Sequence, residues 1–223
     1  MSLLEAAWKE IVEYRAQTAT WDLTKTINPE IIQSLTDDIH RRAPSKQNRV
    51  QYQLHVFDWS DTEFRNHFYE FAVDRDSPDP RYNSQTLANY LFVFVGRNPG
   101  KFDKDFSGID VAQNGEISHL EIGLAAHMLV HGAYARGLQS GFCKCFDYDY
   151  DRKDKIIEKL QITEREFYKI HLAVGVGHQG STSHETYNLH TKQMVNGYKD
   201  QGKKWYLEPK PDASEYIIYH TNE

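Results

Sequence analysis

The sequence predicts an α+β fold, and three stretches carry that expectation. Between Glu121 and Arg136 the chain has no formal charge, although 26% of all residues are charged. Apolar residues recur there at helical spacing on two faces: Ile117, Leu120, Leu124 and Met128 on one, Ile122, Ala125, Leu129 and Ala133 on the other. Such a helix is buried on more than one side. Tyr90 to Val95 (YLFVFV) is a continuous apolar run bounded by Gly96, the pattern of a strand covered on both faces. Ile170 to Gly177 (IHLAVGVG) alternates branched residues with Ala173, Gly175 and Gly177, so one face of this strand admits another backbone or a flat ligand.

The other elements follow in order. Leu3 to Arg15 has Leu4, Ala7, Trp8, Ile11 and Val12 on one helical face, and the polar Arg15 to Lys25 is a loop. Asn28-Pro29 starts a helix with an N-cap residue and a first-turn proline, Ile31, Ile32, Leu35 and Ile39 form its inner stripe, and Ala43-Pro44 ends it. Val50 to Phe57 alternates as a half-buried strand. Ser60 and Glu63 suit a capping box for a helix bearing Phe64, Phe68 and Phe71, and residues 74–83 form a turn-rich loop. Residues 96–115, rich in Gly, Asn, Asp and Lys, are expected as an inserted loop or lid. Arg136 and Gly137 close the core helix, and Leu138 to Phe146 is expected to be irregular. Short helices are expected at Arg152 to Leu160, after a Thr163/Glu166 cap, and weakly near His184 to Lys199. Tyr216 to His220 closes as a strand-like run within a C-terminal arm, 205–223.

Composition narrows the function. The 223 residues suit a single domain, 1–223, with a substantial core. A formal charge of −6 and no basic run interleaved with aromatics argue against nucleic acid as a partner. The uncharged run is too short for a membrane span, and the apolar start is broken by Lys9, Glu10 and Glu13, so a cytoplasmic protein is expected.

No constellation is catalytic by spacing alone. His127 and His131 stand four apart, which suits zinc, but no Glu follows the first His and no third ligand lies near, so they are expected to be structural. Cys143-Lys144-Cys145 lacks the two-residue gap of a redox motif and a second pair for a metal. The acidic cluster Asp147, Asp149, Asp151 and Asp154 is expected as solvated surface. There is no nucleophile–base–acid set.

Four blocks in order add a further signal. They are Arg15 to Asp22 (RAQTATWD), Ala43 to Asn48 (APSKQN), Ala135 to Ser140 (ARGLQS) and Leu172 to Gly180 (LAVGVGHQG), followed by Pro209-Lys210-Pro211 and Glu215 to Ile218. Together they resemble the FMN-dependent nitroreductase family over almost the whole length. The resemblance implies a three-layer αβα sandwich with a central, mostly antiparallel sheet, assembled as an intertwined homodimer with flavin at the interface. It implies FMN as cofactor and NADH or NADPH as electron donor.

In that pattern Arg15, Gln17 and Lys210 hold the phosphate, for which the planar guanidinium fork of arginine is suited. Ser45, Lys46 and Asn48 approach the ribityl chain and pyrimidine end. Phe142, Cys143, Lys144 and Cys145 lie along the isoalloxazine, with a backbone N–H of Lys144 or Cys145 facing N5. The implied activity is an FMN-dependent NAD(P)H oxidoreductase, reducing a nitroaromatic, quinone or similar small-molecule acceptor in two alternating half-reactions without a catalytic side chain. Gln17 stands at a usual serine, Ala19 at a second cation and Cys145 at a usual glycine. These departures leave two alternatives open: another flavin reaction, such as dehalogenation or flavin fragmentation, or flavin binding without turnover.

Overall fold

The computed structural model describes residues 2–13, 18, 21–58, 84–97, 111–144, 158, 160, 167–180, 185–188 and 193–196. Among the described residues four strands form one antiparallel sheet in the order β1-β2-β4-β3: β1 (Tyr52–Asp58), β2 (Tyr90–Arg97), β3 (Gln139–Cys143) and β4 (Phe167–Gly177). The register sets Phe92 opposite Val56 and Val174, and Phe142 opposite Val174. These residues share the face that receives the helices. β2 is covered on both faces, as its unbroken apolar run requires: Leu91 through Val95 are all fully buried.

Among the described residues three α-helices accompany the sheet: α1 (Leu3–Glu13), α2 (Pro29–Arg42) and α3 (Val111–Tyr134). The Asn28 side chain accepts the Glu30 N–H at 3.0 Å, and Pro29 needs no partner in the first turn. At the other end His40, Arg41 and Arg42 complement the helix dipole, and Ala43 turns extended before Pro44. Ile32, Leu35 and Ile39 meet Ile122, Ala125, Leu129 and Ala133 of α3 over Phe92, Phe94, Val174 and Val176. Each large side chain buried there contributes about 1.5–3 kcal/mol. Arg136 ties the same pair of helices, donating to Ser34 Oγ and Asp38 Oδ2, both at 2.7 Å.

The close of α3 is the predicted one. Gly137 takes φ +73°, its N–H donates to Tyr134 O, and Leu138 N–H reaches back to Ala133 O, both at 2.9 Å. This paired closure needs a left-handed residue, which glycine adopts without strain. Among the described residues one apolar face of α3 is covered and the other is exposed. Leu120 is 63% exposed and Leu124 is exposed beside it. The apolar face of α1 is likewise open, with Leu4 83% and Trp8 55% exposed.

Several boundaries differ from the sequence expectation. Gly96 and Arg97 belong to β2 and α3 begins at Val111, so the loop expected at 96–115 is narrowed from both ends. Within the segment expected to be irregular after the core helix, Gln139–Cys143 forms strand β3. Its polar and glycine residues hide the strand signal, and pairing with β4 supplies its backbone partners. No helix follows Thr163 and Glu166, because β4 starts at Phe167. In place of the weak helix at 184–199 there is a hairpin of β5 (Glu185–Asn188) and β6 (Gln193–Asn196). The phenylalanine-bearing helix at 60–71, the 74–83 loop, most of 152–160, the acidic cluster and the 205–223 arm lie outside the described residues.

Candidate functional site

The Ala43-Pro44-Ser45 stop of α2 leads into a single 3-10 turn, Lys46–Asn48, and then into β1. Two residues of this passage are left-handed, Asn48 at φ 56° and Val50 at φ 44°. Asparagine tolerates that region, whereas a β-branched valine there is strained by its own Cβ. α3 holds the segment in place. The Glu121 carboxylate, 2% exposed, accepts the Lys46 N–H on one oxygen at 2.6 Å and the Gln51 N–H on the other at 2.7 Å. Ser118, one turn earlier, donates its hydroxyl to Gln51 O at 2.8 Å. Burial, and secondarily the Glu121 charge, push the Tyr52 phenol up to about 12.

This segment borders a cavity of about 520 Å³. Ser45, Asn48, His40 and Arg41 are among its polar groups, while Ile39, Leu54 and other apolar residues form its walls. Lys46 is exposed beside it. A hydroxyl and a carboxamide together both donate and accept, which fits the carbonyl and imide edge of a flavin pyrimidine ring.

A second cluster of predicted residues lies at the other end of the sheet. Thr18 N–H donates to Ser140 O at 2.9 Å, fixing the loop after α1 to the outer edge of β3. Trp21 bridges to Gln179, and Asp22 N–H donates to His178 O at 2.9 Å. Asn89 binds these pieces together. Its Nδ2 donates to Lys25 O at 2.7 Å and Asp22 O at 3.3 Å, while its Oδ1 accepts the His178 N–H at 3.1 Å.

The glycine-lined face of β4 is used by this chain's own backbone. A Cβ on Gly175 would strike the Gln85 carbonyl, one on Gly177 the Asn89 side chain, and one on the neighbouring Gly141 the Thr18 carbonyl. Of the two openings the sequence left for that face, a backbone takes the place and a flat ligand does not. Phe142 packs with the helical core, Cys143 is buried, and Lys144 is exposed where the strand ends.

The predicted residues therefore fall into two groups. Ser45, Lys46 and Asn48 stand beside β1, whereas Phe142, Cys143 and Lys144 stand at or beside β3. Among the described residues these are opposite edges of a four-stranded sheet, about 14 Å apart at the usual strand spacing. Within one chain the two groups do not meet. Arg15, Gln17, Ala19, Cys145 and Lys210 lie outside the described residues.

His127 and His131 stack edge to face at 4.0 Å, with Trp8 at 5.3 Å from His131. Among the described residues no group of three or more His, Cys, Asp or Glu could hold a metal ion, and no helix is long and apolar enough to cross a membrane. Sequence reasoning passed over Glu121, Ser118 and Asn89. An isolated carboxylate at the head of an uncharged helical run was the one available signal for Glu121.

No family model matches the chain, and no curated protein matches it in sequence. Solved structures do. The gut-bacterial enone reductase CLA-ER, which catalyses a key step of fatty acid saturation, superposes with TM-score 0.65 at 12% identity, over 95% of this chain and 97% of that one. A protein assigned as an NAD(P)H:FMN oxidoreductase from Staphylococcus epidermidis gives 0.62 at 16%, over 82% and 91%. A nitroreductase with bound FMN from Desulfitobacterium hafniense gives 0.58 at 16%, over 79% and 90%.

Proposed function

Taking as premise that this chain has the fold of the nitroreductase-family proteins, we propose that it is an FMN-dependent oxidoreductase drawing electrons from NADH or NADPH. The observation that carries the reading is the seating of Ser45 and Asn48 together on a cavity, on the segment where the sequence resembles the family's flavin-binding block. When bound, FMN would supply the redox chemistry, a hydride relay between the nicotinamide and a nitroaromatic, quinone or enone-like acceptor.

The chain's own residues bind and orient. Ser45 and Asn48 meet the polar edge of the ring, and exposed Lys46 adds a cation near it. Arg15, Gln17 and Lys210 hold the phosphate, and the backbone at Lys144 and Cys145 offers a donor to the ring. Because the described members of the two groups stand on opposite sheet edges, this reading shares the site between two chains. A second copy brings its β1 segment to the β3 edge of the first, which makes the protein a homodimer with flavin at the interface. The exposed faces of α1 and α3 support that assembly.

The purified protein, incubated with FMN and desalted, is expected to be yellow with flavin absorption bands. Anaerobic NADPH or NADH is expected to bleach it, and nitrofurazone, menadione or an enone to restore the colour. Protein that remains colourless after incubation with FMN overturns the reading. Bound flavin that neither nicotinamide bleaches points instead to binding without turnover.

A further inference from the structure

We infer that Glu121 is the positioning residue of the flavin site, acting at a distance from the ring by pinning the strained Lys46–Gln51 segment to the central helix. The inference rests on the flavin reading above and adds a residue which that reading does not contain.

Three observations converge on Glu121. First, it is a buried carboxylate in a helix whose following fourteen residues are all uncharged. A buried charge is costly unless satisfied, and here two backbone N–H groups satisfy it, one on each oxygen. Second, those two amides bracket the segment. Lys46 opens the 3-10 turn and Gln51 precedes β1, so a single rigid side chain sets both ends of the stretch that carries Asn48. Third, the stretch between them is strained, with Val50 at φ 44°. Such a conformation persists only where its surroundings over-determine it. Ser118 adds a third tie on the same helical face.

Ser45 directly precedes the Glu121-bound Lys46 amide, and Asn48 lies inside the bracket. Their presentation therefore depends on a carboxylate that touches neither of them. A glutamine cannot replace it, because its carboxamide has one acceptor oxygen and would turn an N–H₂ group toward the second amide.

The test uses the full-length protein and two readouts. In wild type, amide hydrogen exchange followed by NMR is expected to show Lys46 and Gln51 protected, and FMN titration followed by flavin fluorescence gives the reference Kd. Glu121→Gln is expected to reduce protection at those two amides and to raise the FMN Kd, each by roughly tenfold to a hundredfold, the size set by losing a charge-assisted hydrogen bond. Amides of β2 keep their protection. Glu121→Asp, which keeps both acceptor oxygens, is expected to recover part of the affinity, and Ser118→Ala to give a smaller loss of the same kind.

Val130→Ala, a core truncation on the same helix, controls for stability alone. It is expected to lower Tm without raising the Kd. Unchanged exchange at Lys46 and Gln51 in Glu121→Gln overturns the clamp. Released amides with an unchanged Kd overturn the positioning role while leaving the flavin reading intact. If wild type binds no FMN, both that reading and the positioning role fall, and the exchange data still report the clamp separately.

Discussion

At the scale of single residues, two side chains have effects that stability measurements can isolate. Asn89 joins three backbone groups from two loops, with each of its polar atoms engaged. Asn89→Ala leaves two carbonyls and one N–H without that partner, and is expected to cost about 2–3 kcal/mol, read as a lower urea midpoint with unchanged slope. Tyr52 reports on pH. Its phenol is raised from 10.0 to about 12 in the fold, by burial first and by Glu121 second. As pH rises, the unfolded chain therefore loses this proton before the folded chain does. The contribution is full below pH 10.0 and declines toward about 12. Tyr52→Phe is expected to flatten the fall of stability with pH in that window. A wild-type and variant pair with parallel curves would refute the assignment.

At the scale of elements, the glycines of the sheet explain how the outer loops come so close. Gly175 leaves room for the Gln85 carbonyl, so Gly175→Ala is expected to push the Ser84–Leu87 turn off β4 and cost about 1–3 kcal/mol in thermal or urea unfolding. Gly137→Ala meets no neighbour, yet it places a Cβ at φ +73°, and about 1 kcal/mol is expected there from the backbone alone. Elements with a local signature were legible from sequence: the capped α2, the continuous β2, the glycine-rich β4 and the glycine close of α3. β3 was not, because Gln139, Ser140 and Gly141 have no alternation of their own and become a strand through β4. The β5–β6 hairpin was missed for a related reason, since short runs of mixed polarity fit a weak helix and a strand about equally until a partner is present.

At the scale of the whole molecule, the exposed apolar residues of α1 and α3 and the proposed shared site lead to one expectation. On the two-copy reading, light scattering gives twice the 26.0 kDa chain mass. Leu120→Glu, placed on the exposed face of α3, shifts the protein toward the chain mass and raises the FMN Kd at least tenfold, because each site loses half of its residues. A monomeric wild type that binds FMN tightly would reject the shared site. The sequence offered the candidate site as a set of residue types in a given order. The placing of Ser45, Lys46 and Asn48 beside one sheet edge and of Phe142, Cys143 and Lys144 at the other was not legible, because sequence order carries no information about which edge a strand occupies.

Periodicity and local backbone chemistry were enough to establish the α+β class, the helix ends and the central strands. These depend on residues within a few positions of one another. The resemblance of four ordered blocks supplied the flavin hypothesis and its residues. Three-dimensional packing settled the rest: strand order, the occupation of the glycine face by Thr18 and Gln85, and the reach of Glu121 across seventy-odd positions to two amides. Those contacts join residues far apart in the chain through burial and register, and no local pattern records them.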